Sequence, residues 1–268
     1  PGSGLVLVAA DLGKSFELAS APPDDPLAVA ARLTLDHLGA SPPDAALTVQ
    51  STVPIASGLG SGAAVSTALV RALAEFLESP LAAGEISDLV YEVEKIHHGT
   101  PSGIDNTVIA YERPVYFVST ATSGPELLSI GTPFALLLAD TGLPSPTKSV
   151  VSQVRKGWKR EPARYEDLFS RIGDIARDAR RRMEDGDVNA LGGLMDENHR
   201  LLARLGVSSD VLNRLADVAR AAGAMGAKLS GAGRGGNLLA LVDHQSLEAV
   251  AVALREAGAA RTLQTVVS

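Results

Sequence analysis

Cysteine is absent from this chain. That absence removes disulfides, thiolate metal ligands and a cysteine nucleophile. Long apolar runs are missing too: none approaches the ~20 residues of a membrane span. No charged-then-apolar leader stands at the first residues, so a cytoplasmic protein with no membrane partner is expected. Positive charge is in deficit, with 24 Lys and Arg against 31 Asp and Glu and a formal net charge of −7. No nucleic-acid partner is expected on that balance, and any phosphate site has to be a local field within an acidic protein. Three common signatures are also lacking. There is no Gly-x-x-x-x-Gly-Lys-[Ser/Thr] run, no Rossmann glycine fingerprint and no Gly-x-Ser-x-Gly elbow. Walker-type nucleotide binding, dinucleotide binding and serine-hydrolase chemistry therefore lose their usual support.

What is present is globular. Of 268 residues, 46% are hydrophobic and 21% charged, which leaves no long disordered portion and is enough for one large domain or two ordinary ones. No internal repeat is visible.

The chain is organised around Pro54-Ile55-Ala56-Ser57-Gly58-Leu59-Gly60-Ser61-Gly62-Ala63-Ala64. This stretch joins an alternating run, Ala46 to Val53, to an apolar-periodic segment, Ala63 to Leu77. The first reads as a strand and the second as a helix. Glycines there let the backbone approach a ligand and aim successive N–H groups at one point. The following helix adds its unpaired N–H groups and the positive end of its dipole. An anion site, most plausibly for phosphate, fits these features. A plain glycine-rich turn fits them as well.

In chain order, Gly4 to Asp11 reads as a buried strand with Phe16 to Ala19 as its hairpin partner. Leu27 to Leu38 reads as a helix closed by Gly39. Ile86, Leu89, Val90 and Val93 mark one face of a helix running to about His98. Val115 to Val118 and Ala135 to Asp140 read as strands. Four long helices are expected over 149–158, 166–184, 188–205 and 209–222, then a strand at 238–242, a helix at 245–257 and a closing strand at 262–267. Runs of helices with βαβ-like connections place the second half in the α+β class. The domains are expected at 1–132 and 133–268.

Two carboxylates stand out. Glu94 lies at the margin of the apolar stripe of its helix, four residues before His98. It can face a cleft, or pair with a basic neighbour at the surface. Asp105 follows the rigid turn Pro101-Ser102-Gly103 and precedes Asn106. It suits proton acceptance or cation binding, or an Asx-type helix cap. A further glycine cluster, Lys228-Leu229-Ser230-Gly231-Ala232-Gly233-Arg234-Gly235-Gly236-Asn237, precedes a strand. Four glycines exceed what one turn needs, so close approach to a ligand is expected there.

Taken together, Pro54 to Ala64, Pro101 to Asn106 and Lys228 to Asn237 resemble the signature blocks of the galactokinase, homoserine kinase, mevalonate kinase and phosphomevalonate kinase (GHMP) superfamily. His98 to Asn106, Asp140 to Lys148 and Asn198 to Leu202 are most similar to the mevalonate kinases within it. The resemblance implies a two-domain α+β fold, with an N-terminal ribosomal-protein-S5-like domain and a C-terminal ferredoxin-like domain. It implies ATP as co-substrate, Mg²⁺ as cofactor and mevalonate as the alcohol acceptor. Pro54, Ser57, Gly58, Leu59, Gly60, Ser61, Gly62 and Ala63 would bind the ATP phosphates. Glu94, with Ser61, would hold Mg²⁺, and Asp105 would be the catalytic base or orient the acceptor hydroxyl. His98, Ser102, Thr147, Gly231, Ala232 and Gly233 would line the acceptor site. A homodimer stays open as the assembly.

Three departures accompany the resemblance. Family members usually begin with a motif carrying Lys, Glu and His, on a strand that would precede Pro1. Gly62 stands where the family loop has a second serine, the expected metal-contacting hydroxyl. Arg234 and Asn237 stand where Gly and Cys are more frequent, and Arg234 either contacts a phosphate or faces solvent.

Overall fold

The computed structural model describes residues 4–53, 59–98, 101–118, 124–145 and 147–268, except the side chains of His97 and His98. The chain divides into two compact units, Pro1–Leu127 and Leu128–Ser268. Helices and sheets are mixed in both, as expected for the α+β class. No described helix is long and apolar enough to cross a membrane.

In the first unit, β1 (Leu5–Ala9) alternates buried Leu5, Leu7 and Ala9 with half-buried valines. It pairs antiparallel with β2 (Lys14–Glu17) around a tight turn closed by Gly13 at φ 60. Helix α1 (Pro26–Leu38) starts where Asp25 accepts the N–H groups of Leu27 and Ala28, and stops at left-handed Gly39. Strand β3 (Ala45–Val49) then adds parallel to β1, so the order is β2-β1-β3. It is shorter than the alternating sequence run, because Val49 is paired with Ala9, the last residue of β1. Beyond that point no ladder partner continues.

Three helices complete the unit: α2 (Ser61–Phe76), α3 (Ala83–His98) and α4 (Ile104–Tyr111). A short pair, β4 (Val115–Tyr116) and β5 (Glu126–Leu127), closes it. The apolar stripes of α1, α2 and α3 meet Leu5 and Leu7 in one core, with Leu69, Val70, Leu73, Val90 and Val93 at its centre.

The second unit carries a four-stranded antiparallel sheet. Its strands are β6 (Phe134–Asp140), β7 (Gly226–Ser230), β8 (Asn237–Val242) and β9 (Arg261–Val267), ordered β7-β8-β6-β9. Between β6 and β7 run α5 (Thr147–Arg160), α6 (Pro162–Asp185), α7 (Val188–Arg204) and α8 (Asp210–Ala221). Helix α9 (Leu247–Glu256) joins β8 to β9. Both β8 and β9 oppose β6, so they run parallel with β6 between them. The expected βαβ-like connections are therefore present in split form. One sheet face, with Leu137, Ala227, Leu229, Leu238 and Ala240, packs on Leu212, Leu215, Val250 and Leu254 of α8 and α9.

Candidate active site

The site in the first unit is built at the start of α2. Its N-cap is Gly60, held at φ 68, and the first helical bond runs from Ala64 N to Gly60 O at 2.9 Å. The N–H groups of Ser61, Gly62 and Ala63 consequently have no carbonyl within the helix to bond. Glycine at this cap supplies no side-chain acceptor, so these donors and the positive end of the helix dipole are left for an incoming anion.

Two carboxylates from other helices reach this terminus. Glu94 of α3 is only 6% exposed. A Cβ built on Gly62 would stand 3.0 Å from Glu94 Oε1. A Cβ built on Gly60 would stand 3.5 Å from both Cβ and Cγ of Asp105, and 3.2 Å from Ile109 Cδ1. Glycine is required at residue 60 twice over, by its left-handed backbone and by the closeness of α4. Gly62 has its own reason. A side chain there would crowd the buried carboxylate of α3.

Asp105 is not the cap of α4. That position belongs to Gly103, at φ 86, and Asp105 sits in the first helical turn, exposed. Ser102 accepts the N–H of Ile104 at 3.3 Å and shapes the turn before it. Behind Asp105 the helix is locked: Asn106 Nδ2 donates to Ser87 O at 3.0 Å and to Ser87 Oγ at 2.9 Å. Thr107 Oγ1 donates to Gly103 O at 2.6 Å. Thr107 Oγ1 also lies 3.4 Å from Ser87 Oγ, so buried Asn106 and Thr107 fasten α4 to α3, and the exposed Asp105 in the first turn of α4 is placed by these neighbours.

Pro54, Ser57, Gly58 and the side chain of His98 lie outside the described residues. Leu59, Gly60, Ser61, Gly62 and Ala63 lie at or beside the α2 terminus. Among the described residues no three His, Asp or Glu side chains gather as a metal cluster. Oxygen donors at the α2 terminus nonetheless suit a hard cation. Mg²⁺ commonly takes one or two carboxylates and completes its shell with phosphate and water.

The remaining candidates lie in the second unit. Thr147 opens α5, exposed, with its N–H on Ser145 O at 2.9 Å. Gly231, Ala232 and Gly233 form the turn between β7 and β8, with Gly231 at φ 81 and Gly233 at φ 87. A Cβ on Gly233 would meet Val207 O at 1.9 Å, and one on Gly235 would meet Pro144 O at 2.5 Å. Two of the four glycines therefore answer to the protein's own backbone. Ser145 Oγ donates to Gly233 O at 2.9 Å, and Gly236 N to Leu143 O at 3.0 Å, so the Asp140–Lys148 block and the late glycine run are joined.

Comparison with known proteins decides the family. The model described as the GHMP kinases N terminal domain matches residues 26–113. The one described as GHMP kinases C terminal matches residues 175–260. A mevalonate kinase of Pyrococcus horikoshii is 35% identical over 217 residues, 79% of this chain and 63% of that protein. A mevalonate kinase of Methanothermobacter thermautotrophicus is 31% identical, covering 77% of this chain and 69% of that protein. Among solved structures, L. major mevalonate kinase in complex with R-mevalonate superposes with a TM-score of 0.79 at 30% identity, covering 91% of this chain and 77% of that one. The chain belongs to the GHMP kinases. It spans about 63% of the length of the Pyrococcus relative.

For this GHMP kinase, sequence reasoning missed how the Asn198-His199 block works. His199 is buried, and its Nδ1 accepts the N–H of Leu229 at 3.1 Å while Nε2 lies 3.1 Å from Asn213 Oδ1. Accepting at Nδ1 places the proton on Nε2, which donates to Asn213. Burial lowers the His199 pKa, against the hydrogen bond to Asn213, which raises it. One turn earlier, Asp196 Oδ1 accepts the N–H of Ala227 at 2.9 Å and Arg220 Nη1 at 3.0 Å. Strand β7 lies at the sheet edge, so α7 side chains satisfy N–H groups that no neighbouring strand reaches. A histidine three residues from an aspartate on one helix face was the available signal.

Proposed function

We propose that this GHMP kinase transfers the γ-phosphoryl group of ATP to the primary hydroxyl of mevalonate, with Mg²⁺ as cofactor. The observation that carries the reading is the meeting of Glu94 and Asp105 at the uncapped N-terminus of α2. That the relatives at 31–35% identity are named mevalonate kinases supports the choice of acceptor.

In this reading, residues 54–63 cradle the ATP phosphates with backbone N–H groups. Glu94, assisted by Ser61, would hold Mg²⁺, which supplies charge neutralisation at the phosphates. Asp105 accepts the proton of the acceptor hydroxyl, or orients it, as its oxygen attacks the γ-phosphorus. The bond from that phosphorus to the β,γ-bridging oxygen breaks and ADP leaves with the electron pair. His98, Ser102, Thr147 and Gly231 to Gly233 are assigned to the acceptor. Catalysis rests on positioning and electrostatics, with no covalent enzyme intermediate.

An acceptor panel tests the assignment. Full-length protein given Mg²⁺ and ATP is expected to release ADP with mevalonate and not with phosphomevalonate or galactose. Release with phosphomevalonate alone would move the acceptor assignment elsewhere in the family.

A further inference from the structure

Helix α5 carries Lys156, Lys159 and Arg160 at spacings that put them on one face. Together with Arg234 they line a cavity of about 560 Å³ within the second unit. Elsewhere the arginines of this unit are mostly neutralised. On α6 and its start, Arg164, Arg171, Arg177, Arg181 and Arg182 each face a carboxylate. Among the described residues, none of the four cavity cations has a carboxylate within ion-pair distance. Lys159 and Arg160 stand in the last turn of α5, where cations suit the helix dipole. That explanation does not extend to Lys156, in mid-helix, or to Arg234, on a different element.

Arg234 is the second, independent observation. Its backbone is left-handed, at φ 61, inside a run of glycines that would adopt this conformation without strain. Its N–H bonds to Val207 O at 2.9 Å, and its guanidinium donates to Gly206 O through Nε at 3.2 Å and Nη2 at 3.0 Å. The side chain is therefore pinned at the cavity wall, and among the described residues three of its five N–H donors have no partner. An arginine held against backbone preference, with donors to spare, is what anion recognition needs.

We propose that this cavity of the second unit is a further ligand site, built from residues other than those assigned to the kinase reaction, that takes a small molecule bearing a phosphate or diphosphate on a short apolar body. The cations bind the anionic end. Val154, Leu205 and the ring of Tyr165 line the cavity beside them and receive the apolar part. Tyr165 comes this close to α5 because residue 157 is glycine: a Cβ there would lie 2.0 Å from the Tyr165 hydroxyl. A cavity of this size suits a small ligand. The net charge of −7 repels a long polyanion such as RNA. The site does not depend on the proposed kinase activity.

Calorimetric titration of the full chain with inorganic pyrophosphate at low salt is expected to show saturable binding, with affinity falling as KCl is added. The K156A/K159A/R160A variant should bind at least roughly tenfold more weakly. K156R/K159R should bind like the wild type, and Asp105→Asn should leave the titration unchanged. Phenyl phosphate should bind more tightly than inorganic phosphate. Circular dichroism establishes that each variant is folded. No saturable pyrophosphate binding, equal affinity in the folded triple-alanine variant, insensitivity to salt, or equal affinity for phenyl phosphate and inorganic phosphate would each overturn the proposal.

Discussion

His199 shows how one side chain ties three elements together. It sits on α7, accepts from β7 and donates to α8 through Asn213. Asp196, Arg220 and Lys228 are the charged groups that act on it. A protonated ring has no lone pair for the Leu229 N–H, so protonation breaks one of these ties. Burial lowers the folded-state pKa below the ordinary value of about 6.5. The unfolded chain therefore takes up a proton first as pH falls. Stability from this residue is complete above about pH 6.5 and declines as pH drops through the window toward the folded value. A His199→Gln variant, whose amide oxygen can still accept from Leu229, should lack that component. Urea midpoints measured between about pH 7.5 and 5 should show the wild type losing more stability than the variant. Parallel curves would remove His199 from the pH response. At the same scale, the candidate site was legible where chemistry shows in residue type. Glu94 was visible as a carboxylate at the margin of an apolar helix stripe, and Asp105 as one that follows a rigid turn. Their nearness to the α2 terminus was not, because it depends on how α3 and α4 pack on α2. Gly62 illustrates the gap: a glycine in place of serine reads as a loss in sequence, whereas the packing gives it a reason in the crowding against Glu94 Oε1.

At the scale of elements, amphipathic periodicity and caps carried most of the reading. Gly39 closes α1 as its residue type indicates, Asp187 caps α7, and Ser209, one of three adjacent cap-forming residues Ser208-Ser209-Asp210, caps α8. Helix α4 was not legible in this way. Its eight residues follow Pro101-Ser102-Gly103, and turn signals of that strength hide a short helix. Strand β7 was absorbed into the glycine cluster that follows it, since the five residues Gly226–Ser230 contain a glycine and a lysine. Its attachment to α7 is unusually close. A Cβ on Gly226 would lie 2.1 Å from Gly192 O, and one on Gly192 would lie 2.1 Å from Met225 O. Neither contact can be relieved by rotating a side chain, because backbone stands on both sides. Gly226→Ala should therefore cost about 3 kcal/mol, at the upper end of overpacking effects. Chemical denaturation of the variant measures this directly. A loss below about 0.5 kcal/mol, the size of an ordinary surface change, would contradict the packing described.

At the scale of the molecule, each unit has its own hydrophobic core, the first around Leu69 and Val70 and the second around Leu212 and Leu238. Two cores of this kind are expected to unfold as two cooperative units. Scanning calorimetry should accordingly give a calorimetric enthalpy larger than the van't Hoff enthalpy, and Gly226→Ala should shift one component more than the other. A single transition with equal enthalpies would oppose this. The α+β class and the two-unit organisation were legible because alternating runs and long amphipathic helices are local features. The strand order β7-β8-β6-β9 was not, since it depends on pairing between distant segments. The central claim is that Asp105, in the first turn of α4 beside the N-terminus of α2, serves phosphoryl transfer rather than nucleotide binding or folding. It is tested most directly by following mevalonate-dependent ADP release and ATP binding side by side in full-length wild type and Asp105→Asn. The account predicts turnover reduced by about 10² or more, the range expected on losing a general base, with ATP affinity and thermal stability unchanged. Turnover within a factor of about two of wild type, in a variant that binds ATP normally, would contradict it.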